Sequence, residues 1–353
     1  MIRIKAVFPR RLLALGLPTA WGALAITYKL TCPLAQQDGI EARAVTSAVF
    51  FAVGTGLILH VRQALLRELR QIRRVAGVAQ SALLRPLPPR IDGLNIAATQ
   101  LSADRGASVG GDLYEVIATE HGVRVVMGDV RGHGMAAVGT AAALLGSFRE
   151  AVHDEPDLGR VLRRLERALA RHLRERARDD HPAAEEFATV LLLEIGEDGE
   201  VRALNCGHPW PYLVSGATVE LLARADPLPP LGPFPLPHEL TAAHAGRVLP
   251  GEALVLYTDG AEEARDGRGR FFSLRTALAG AVRTRPSSPQ MILRTVVSAL
   301  MRHAGGTPSD DIALLILRND RTQLTRDSAG ARGTARPATS TPQPTTHLGR
   351  NGV

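Results

Sequence analysis

Aspartates recur where apolar runs meet glycines. "VGGDLYEV" carries Asp112 behind Gly110 and Gly111, and "VVMGDVRGHG" carries Asp129 at the end of an apolar run, ahead of a Gly-His-Gly turn. "LVLYTDGAEEA" ends its run on Thr258, Asp259 and Gly260, while "PSDDIALLIL" sets Asp310 and Asp311 just before another. An Asp-Gly pair after a strand is by itself an ordinary turn signal, because Asp bonds its own backbone and Gly accepts positive φ. Four such junctions ask for more. Carboxylates converging at one sheet edge repel one another and are costly to bury. Hard divalent cations remove both costs, since Mg²⁺ and Mn²⁺ favour carboxylate, carbonyl and water oxygens. Neighbouring glycines let backbone carbonyls and a phosphate come close. Two such ions can share and activate a hydroxide at neutral pH. The charge pattern suggests metal-assisted hydrolysis of a phosphate ester.

The elements that must position these residues follow from periodicity. "LNIAATQL", "VRVVMGDV", "FATVLLLEI", "VRALNCG", "EALVLYTDG" and "DIALLILR" read as strands. "MAAVGTAAALLGSFREAV" and residues 157–178 and 288–304 read as helices. The blocks are segregated rather than strictly alternating, which predicts an α+β fold over a doubly wound parallel sheet. "GDVRGHGMAA" is Gly-rich but fits neither the P-loop nor the dinucleotide-binding spacing, so a nucleotide-binding kinase or dehydrogenase is not indicated.

The first 90 residues have a different character. They hold 13 Lys/Arg against 3 Asp/Glu, whereas the remainder holds 29 against 32. The basic balance of the chain thus belongs to its start, and the main domain lacks the clustered charge of a nucleic-acid binder. Residues 12–28 and 44–61 contain no Asp, Glu, Lys or Arg, and each is just long enough to cross a hydrocarbon core. Basic residues flank the pair on both outer sides, which predicts a two-helix transmembrane hairpin with both ends cytoplasmic. A cleavable signal peptide is the competing reading of the first segment. Leu65, Leu69, Ile72, Ala76, Ala79 and Leu83 then follow at heptad spacing. This is either a short coiled coil that joins two copies through residues 65–83 or an amphipathic linker helix, ended by "RPLPPRIDG". The expected organisation is a membrane hairpin (1–61), a linker helix (62–90), a main domain (91–318) and a Pro/Thr-rich disordered tail (319–353). Cys32 and Cys206 lack metal-ligand spacing and imply no disulfide framework.

The five motifs "GGDLYEV", "GDVRGHG", "NCGHPWPYLV", "LVLYTDGAEEA" and "SDDIALLIL" occur in the order seen in the PPM family of metal-dependent serine/threonine phosphatases. The sequence most resembles its bacterial sporulation stage II E subgroup, over roughly residues 91–318. The resemblance implies a central β-sandwich flanked by helices and a site for two Mn²⁺ or Mg²⁺ ions. It implies that Asp129 bridges both ions, that Asp112 and the backbone carbonyl of Val130 serve one, and that Asp259 and Asp310 serve the other, with Asp311 directly beside it. The implied substrate is a phosphorylated regulatory protein, such as an anti-sigma-factor antagonist. Glu115, Arg131 and Cys206 depart from the usual motif residues and remove none of these ligands. His133 is a candidate general acid, with a turn histidine as its structural alternative. His208, in a tight Pro-rich connection, reads as structural, and Arg131 as a solvent-facing residue or a phosphate contact. The leading function is a membrane-tethered protein phosphatase. Its rival is a catalytically idle sensor or scaffold, which would not need this density of carboxylates.

Overall fold

The computed structural model describes residues 20–24, 26–28, 31, 40–83, 85–101, 110–132, 134–178, 186–283, 288–306, 308 and 310–321; within them, the side chains of 40–43, 46 and 68–83 lie outside the description. The elements in chain order are α1 (Ile40–Leu83), β1 (Arg90–Ile91), β2 (Leu94–Leu101), β3 (Leu113–Thr119), β4 (Gly122–Val130), α2 (Met135–Asp154) and α3 (Leu158–Arg178). There follow β5 (Ala188–Ile195), β6 (Glu200–Cys206), β7 (Tyr212–Ser215), β8 (Thr218–Leu221), β9 (Ala243–Arg247) and β10 (Ala253–Tyr257). The last are α4 (Gly260–Glu263), α5 (Leu274–Val282), α6 (Pro289–His303) and β11 (Ile312–Asn319).

Two antiparallel sheets result, in the orders β1-β2-β11-β10-β7-β8 and β3-β4-β5-β6-β9. Their inner faces make one core. Val123, Val125 and Met127 of β4 and Leu191 and Leu193 of β5 meet Leu254 and Leu256 of β10 and Leu315 and Leu317 of β11. The alternate residues point outward and are apolar too. Val126, Val190 and Leu192 pack under α2 and α3, while Val255, Leu314 and Ile316 pack under α5 and α6. Helix, sheet, sheet and helix stack as four layers. Central strands buried on both faces explain why their sequences are continuous apolar runs.

Local chemistry sets the helix boundaries. Asp157 accepts the Arg160 N–H at 2.9 Å ahead of α3. Ser273 and Ser288 accept the N–H groups of Thr276 and Met291, capping α5 and α6, and Pro289 opens α6. The C-terminal end of α2 is held by a buried arginine. Arg124, 0% exposed, donates to the carbonyls of Val152 (3.0 Å), Glu155 (2.6 Å) and Pro156 (2.8 Å), and its Nε to Glu194 at 2.9 Å. The cation sits where a helix end leaves carbonyls without intrahelical partners.

Among the described residues one helical segment, Ser47–Arg67 within α1, is long and apolar enough to cross a membrane. Its side chains are exposed, Phe51 to 77% and Ile58 to 57%. Of the earlier apolar segment, only residues 20–24 and 26–28 are described. They are helical, and Trp21 and Tyr28 both lie against Phe50, with ring centroids 5.5 and 5.6 Å away. The two-helix transmembrane hairpin is thus supported for one helix only. The seam beyond residue 67 and the tail beyond residue 321 lie outside the described side chains and residues.

Candidate metal centre and active site

The antiparallel pairings bring the aspartates to one end of the sandwich. In one sheet, Leu113 at the start of β3 pairs with Gly128 at the end of β4, so Asp112 and Asp129 leave the sheet together. In the other, Tyr257 at the end of β10 pairs with Leu314 near the start of β11, which groups Asp259 with Asp310 and Asp311. Thr258 joins the halves: its hydroxyl donates to Asp112 Oδ2 at 3.2 Å and accepts the Ala313 N–H at 2.8 Å.

The carboxylates feel one another. Burial, then the charges of Asp129 and Asp311, hold the Asp112 carboxyl well above the usual range, against the Thr258 hydrogen bond. Burial, then Asp259, Asp310 and Asp311, push Asp129 up to about 7. Asp259 is raised by burial and by Asp310, opposed by the Gly260 N–H. Like charges gathered at partly desolvated positions call for a cation.

Glycines make the approach possible. A Cβ on Gly111 would collide with the Val130 carbonyl oxygen and stand 2.8 Å from Asp129 Oδ1. One on Gly110 would strike the Asp311 carboxylate, and one on Gly260 the Asp311 carbonyl. The Val130 carbonyl and the Asp129 carboxylate therefore share the space that Gly111 leaves open. Asp311 lies on the Gly110–Asp112 side, while Asp310 raises Asp259 and binds the Asp311 N–H at 2.8 Å. Among the described residues, no group of three or more His, Cys, Asp or Glu side chains is arranged to hold a metal ion as it stands. The donor set nonetheless fits hard divalent cations: it is all oxygen, anionic and backed by a carbonyl.

A second network supports Asp129 from behind. Its N–H donates to Thr189 Oγ1 at 3.2 Å, and that hydroxyl lies 2.9 Å from His208 Nδ1. The His208 main chain is clasped by the Asn205 side chain, which donates to the His208 carbonyl and accepts its N–H, each at 2.8 Å. Burial drives the His208 ring down to about 3, opposed by the Tyr257 backbone. It is a neutral strut at physiological pH. On the other sheet, Glu262 accepts from Tyr212 at 2.8 Å and Tyr257 at 3.2 Å, which pins the turn that begins with Asp259.

A family model described as Stage II sporulation protein E (SpoIIE) matches residues 119–320. The chain belongs to the SpoIIE family. The SiaA-PP2C domain of Pseudomonas aeruginosa is 19% identical with a TM-score of 0.57, and the match covers 72% of this chain and 98% of that one. The PP2C phosphatase domain and regulatory fragment of SpoIIE from Bacillus subtilis is 17% identical with a TM-score of 0.51, covering 65% and 64% of the two chains. The RsbU and RsbW domains of Rv1364c from Mycobacterium tuberculosis are 24% identical with a TM-score of 0.50, covering 64% and 61%. The chain thus spans about three fifths of that mycobacterial structure. The two-sheet α+β sandwich with flanking helices is the PPM phosphatase fold.

Within this SpoIIE-family frame, the departures from the usual motif find local explanations. Glu115 turns toward α2 and accepts from Arg149 Nε at 2.8 Å. Arg131 is exposed, its Cζ 5.3 Å from the centre of the Phe187 ring. Cys206 is buried and its thiol is pushed up to about 12 by burial, which makes it unreactive. His133 lies outside the described residues. Thr258, Thr189 and the Tyr212–Tyr257–Glu262 clamp escape sequence reasoning, because nothing in their spacing marks them. Tyr257, Thr258 and Glu262 fall inside the motif around Asp259, but their mutual contacts do not show in it.

Proposed function

We propose that this SpoIIE-family protein is a membrane-tethered, metal-dependent protein phosphatase acting on phosphoserine or phosphothreonine of a regulatory protein. The observation that carries the reading is the meeting of aspartates from two sheets at one sandwich end, with side chains shifted toward protonation by each other and by burial. Asp112, Asp129, the Val130 carbonyl, Asp259 and Asp310 would hold two Mn²⁺ or Mg²⁺ ions, with Asp129 between them. The ions, when bound, supply an activated hydroxide and charge neutralisation of the phosphoryl group. The chain's own work is to orient that set. Thr258 fixes the Asp112 carboxylate, Thr189 fixes the Asp129 backbone, and the glycines keep the approach free of side chains. His133, between Gly132 and Gly134 in the sequence, is the candidate proton donor to the leaving serine oxygen. The exposed apolar helix Ser47–Arg67 supports the tether, and the basic flanks support a two-pass arrangement with the phosphatase domain in the cytoplasm.

The substrate we favour is a phosphorylated anti-sigma-factor antagonist or a similar small regulator. The pairing of RsbU and RsbW domains in the mycobacterial structure supports a place in such regulation. One second reading is an idle phosphatase-like scaffold that only binds its partner, since among the described residues no three His, Cys, Asp or Glu side chains are arranged to hold an ion as they stand. Hydrolysis of p-nitrophenyl phosphate and of a phosphoserine peptide by the purified chain, with and without Mn²⁺, separates the two. Metal-dependent turnover that Asp129→Asn removes is the expected result, and no turnover at any Mn²⁺ concentration would leave the scaffold.

A further inference from the structure

The outer face of α3 carries a feature that the proposed chemistry does not use. Arg160, Arg164, Arg167, Arg171, Arg174 and Arg178 follow at spacings of four, three, four, three and four. At 3.6 residues per turn they fall within an arc of about 80° and extend over about 27 Å. Arg160 and Arg164 have acidic partners, Asp157 at 3.4 Å and Glu155 at 2.8 Å. Arg167, Arg171, Arg174 and Arg178 are exposed and make no salt bridge among the described residues; Arg174 Nε donates to the Ala170 carbonyl. The opposite face of α3, with Val161, Leu162, Leu165 and Leu169, is sealed into the core. Arg164, Arg167 and Arg171 line the groove beside α2 together with Glu150, Glu155 and Glu175, whereas Arg174 and Arg178 do not line it.

We infer that this arginine stripe docks the phosphatase domain on the anionic headgroups of the membrane that Ser47–Arg67 enters. The inference rests on the proposed tether. Three observations favour lipid over an acidic protein. The arc contains arginines and nothing apolar, whereas protein interfaces are anchored by buried aromatic or aliphatic side chains. The stripe is straight, about 27 Å long and continues through Arg174 and Arg178 past the groove beside α2, a shape that matches a plane of phosphates. Helix α1, which carries the membrane segment, touches α2, and α2 packs along α3. Each arginine brought near an anionic leaflet strengthens binding roughly fivefold, and salt screens the attraction.

The test uses the full chain with Cys32→Ser and a fluorescent donor at Ala170→Cys, in nanodiscs whose lipids carry an acceptor; the buried Cys206 stays unlabelled. Energy transfer is read in phosphatidylcholine discs and in discs with phosphatidylglycerol, at low and at 0.5 M NaCl. The variant replaces Arg167, Arg171, Arg174 and Arg178 by Gln; all four are exposed, and a thermal melt equal to wild type confirms folding. Docking predicts high transfer for wild type in phosphatidylglycerol only, lost in high salt, with the docked-to-free ratio about 600-fold lower in the variant. Equal transfer for wild type and variant would overturn it. So would indifference to phosphatidylglycerol combined with wild-type-only binding of polyglutamate, which would assign the stripe to an acidic polypeptide. If the chain separates from phosphatidylcholine discs on gel filtration, the tether reading fails. The stripe is then judged by co-sedimentation of the same chain with phosphatidylglycerol vesicles, where equal sedimentation of wild type and variant would refute it.

Discussion

Asp129→Asn should make the metal-free protein more stable while abolishing its response to metal. Burial and three neighbouring aspartates move the Asp129 carboxyl from 3.8 to about 7. The folded state therefore holds its proton more tightly than the unfolded state. Stability from this group is fully present below pH 4 and is lost as pH rises toward 7. About three pH units at 1.36 kcal/mol each is about 4 kcal/mol. Asp129 is only partly buried, and solvent screening halves this to about 2 kcal/mol. An asparagine never ionises, so at pH 8 it should raise the melting temperature of the metal-free chain by about 4–8 °C, and at pH 4 by almost nothing. Mn²⁺ at 100 times its dissociation constant should stabilise wild type by about 2.7 kcal/mol, and the variant hardly at all. Scanning calorimetry of the full chain in detergent, at both pH values and with and without Mn²⁺, reads all of these. A variant less stable than wild type at pH 8, a gain that persists at pH 4, or equal Mn²⁺ stabilisation of both would refute the reasoning.

Gly111→Ala places a methyl against the Val130 carbonyl and beside Asp129 Oδ1, and should lower metal-dependent turnover about 100-fold with the fold retained, as circular dichroism and p-nitrophenyl phosphate kinetics would show. Arg124→Met strands Glu194 and the last carbonyls of α2, and should cost about 3–5 kcal/mol in denaturant unfolding; a loss under about 1 kcal/mol would contradict the assigned role. A reporter inserted at Gln37 should be external and one after Val353 cytoplasmic; a cytoplasmic reporter at Gln37 would defeat the two-pass arrangement. Leu69→Asp with Ile72→Asp should weaken self-association in analytical ultracentrifugation if residues 65–83 pair two copies, and unchanged sedimentation would make that segment a linker helix.

Much of the sandwich is legible because its central strands are apolar on both faces and end at glycines. The expected runs at β2, β4, β5, β6, β10 and β11 correspond to strands, and the three expected helices to α2, α3 and α6. The short strands β7, β8 and β9 do not announce themselves, since each is four or five residues long and partly exposed. Helix α5 is missed because "LRTALAGAV" is small and weakly amphipathic, although its Ser273 cap is visible in the sequence. The aspartates stand out because a carboxylate at the end of an apolar run is costly without a reason. Their supports do not, because they depend on pairings far along the chain: Thr258 with Asp112, 146 residues apart, and Arg124 with Glu194, 70 apart. The arginine stripe is plain in the sequence once residues 160–178 are placed on a helix. Whole-domain charge counting hides it, because the acids elsewhere cancel it.

The Thr258–Asp112 hydrogen bond has a mechanical consequence. Asp112 directly precedes β3 of one sheet and Thr258 directly follows β10 of the other, so the proposed ligand set depends on the spacing of the two sheets. The interior layer of Met127, Leu191, Leu254 and Leu315 sets that spacing. On the proposed reading, the site is a strain gauge across the sandwich: a slide of the sheets, transmitted from a helix on either outer face, is expected to change turnover without touching a single aspartate.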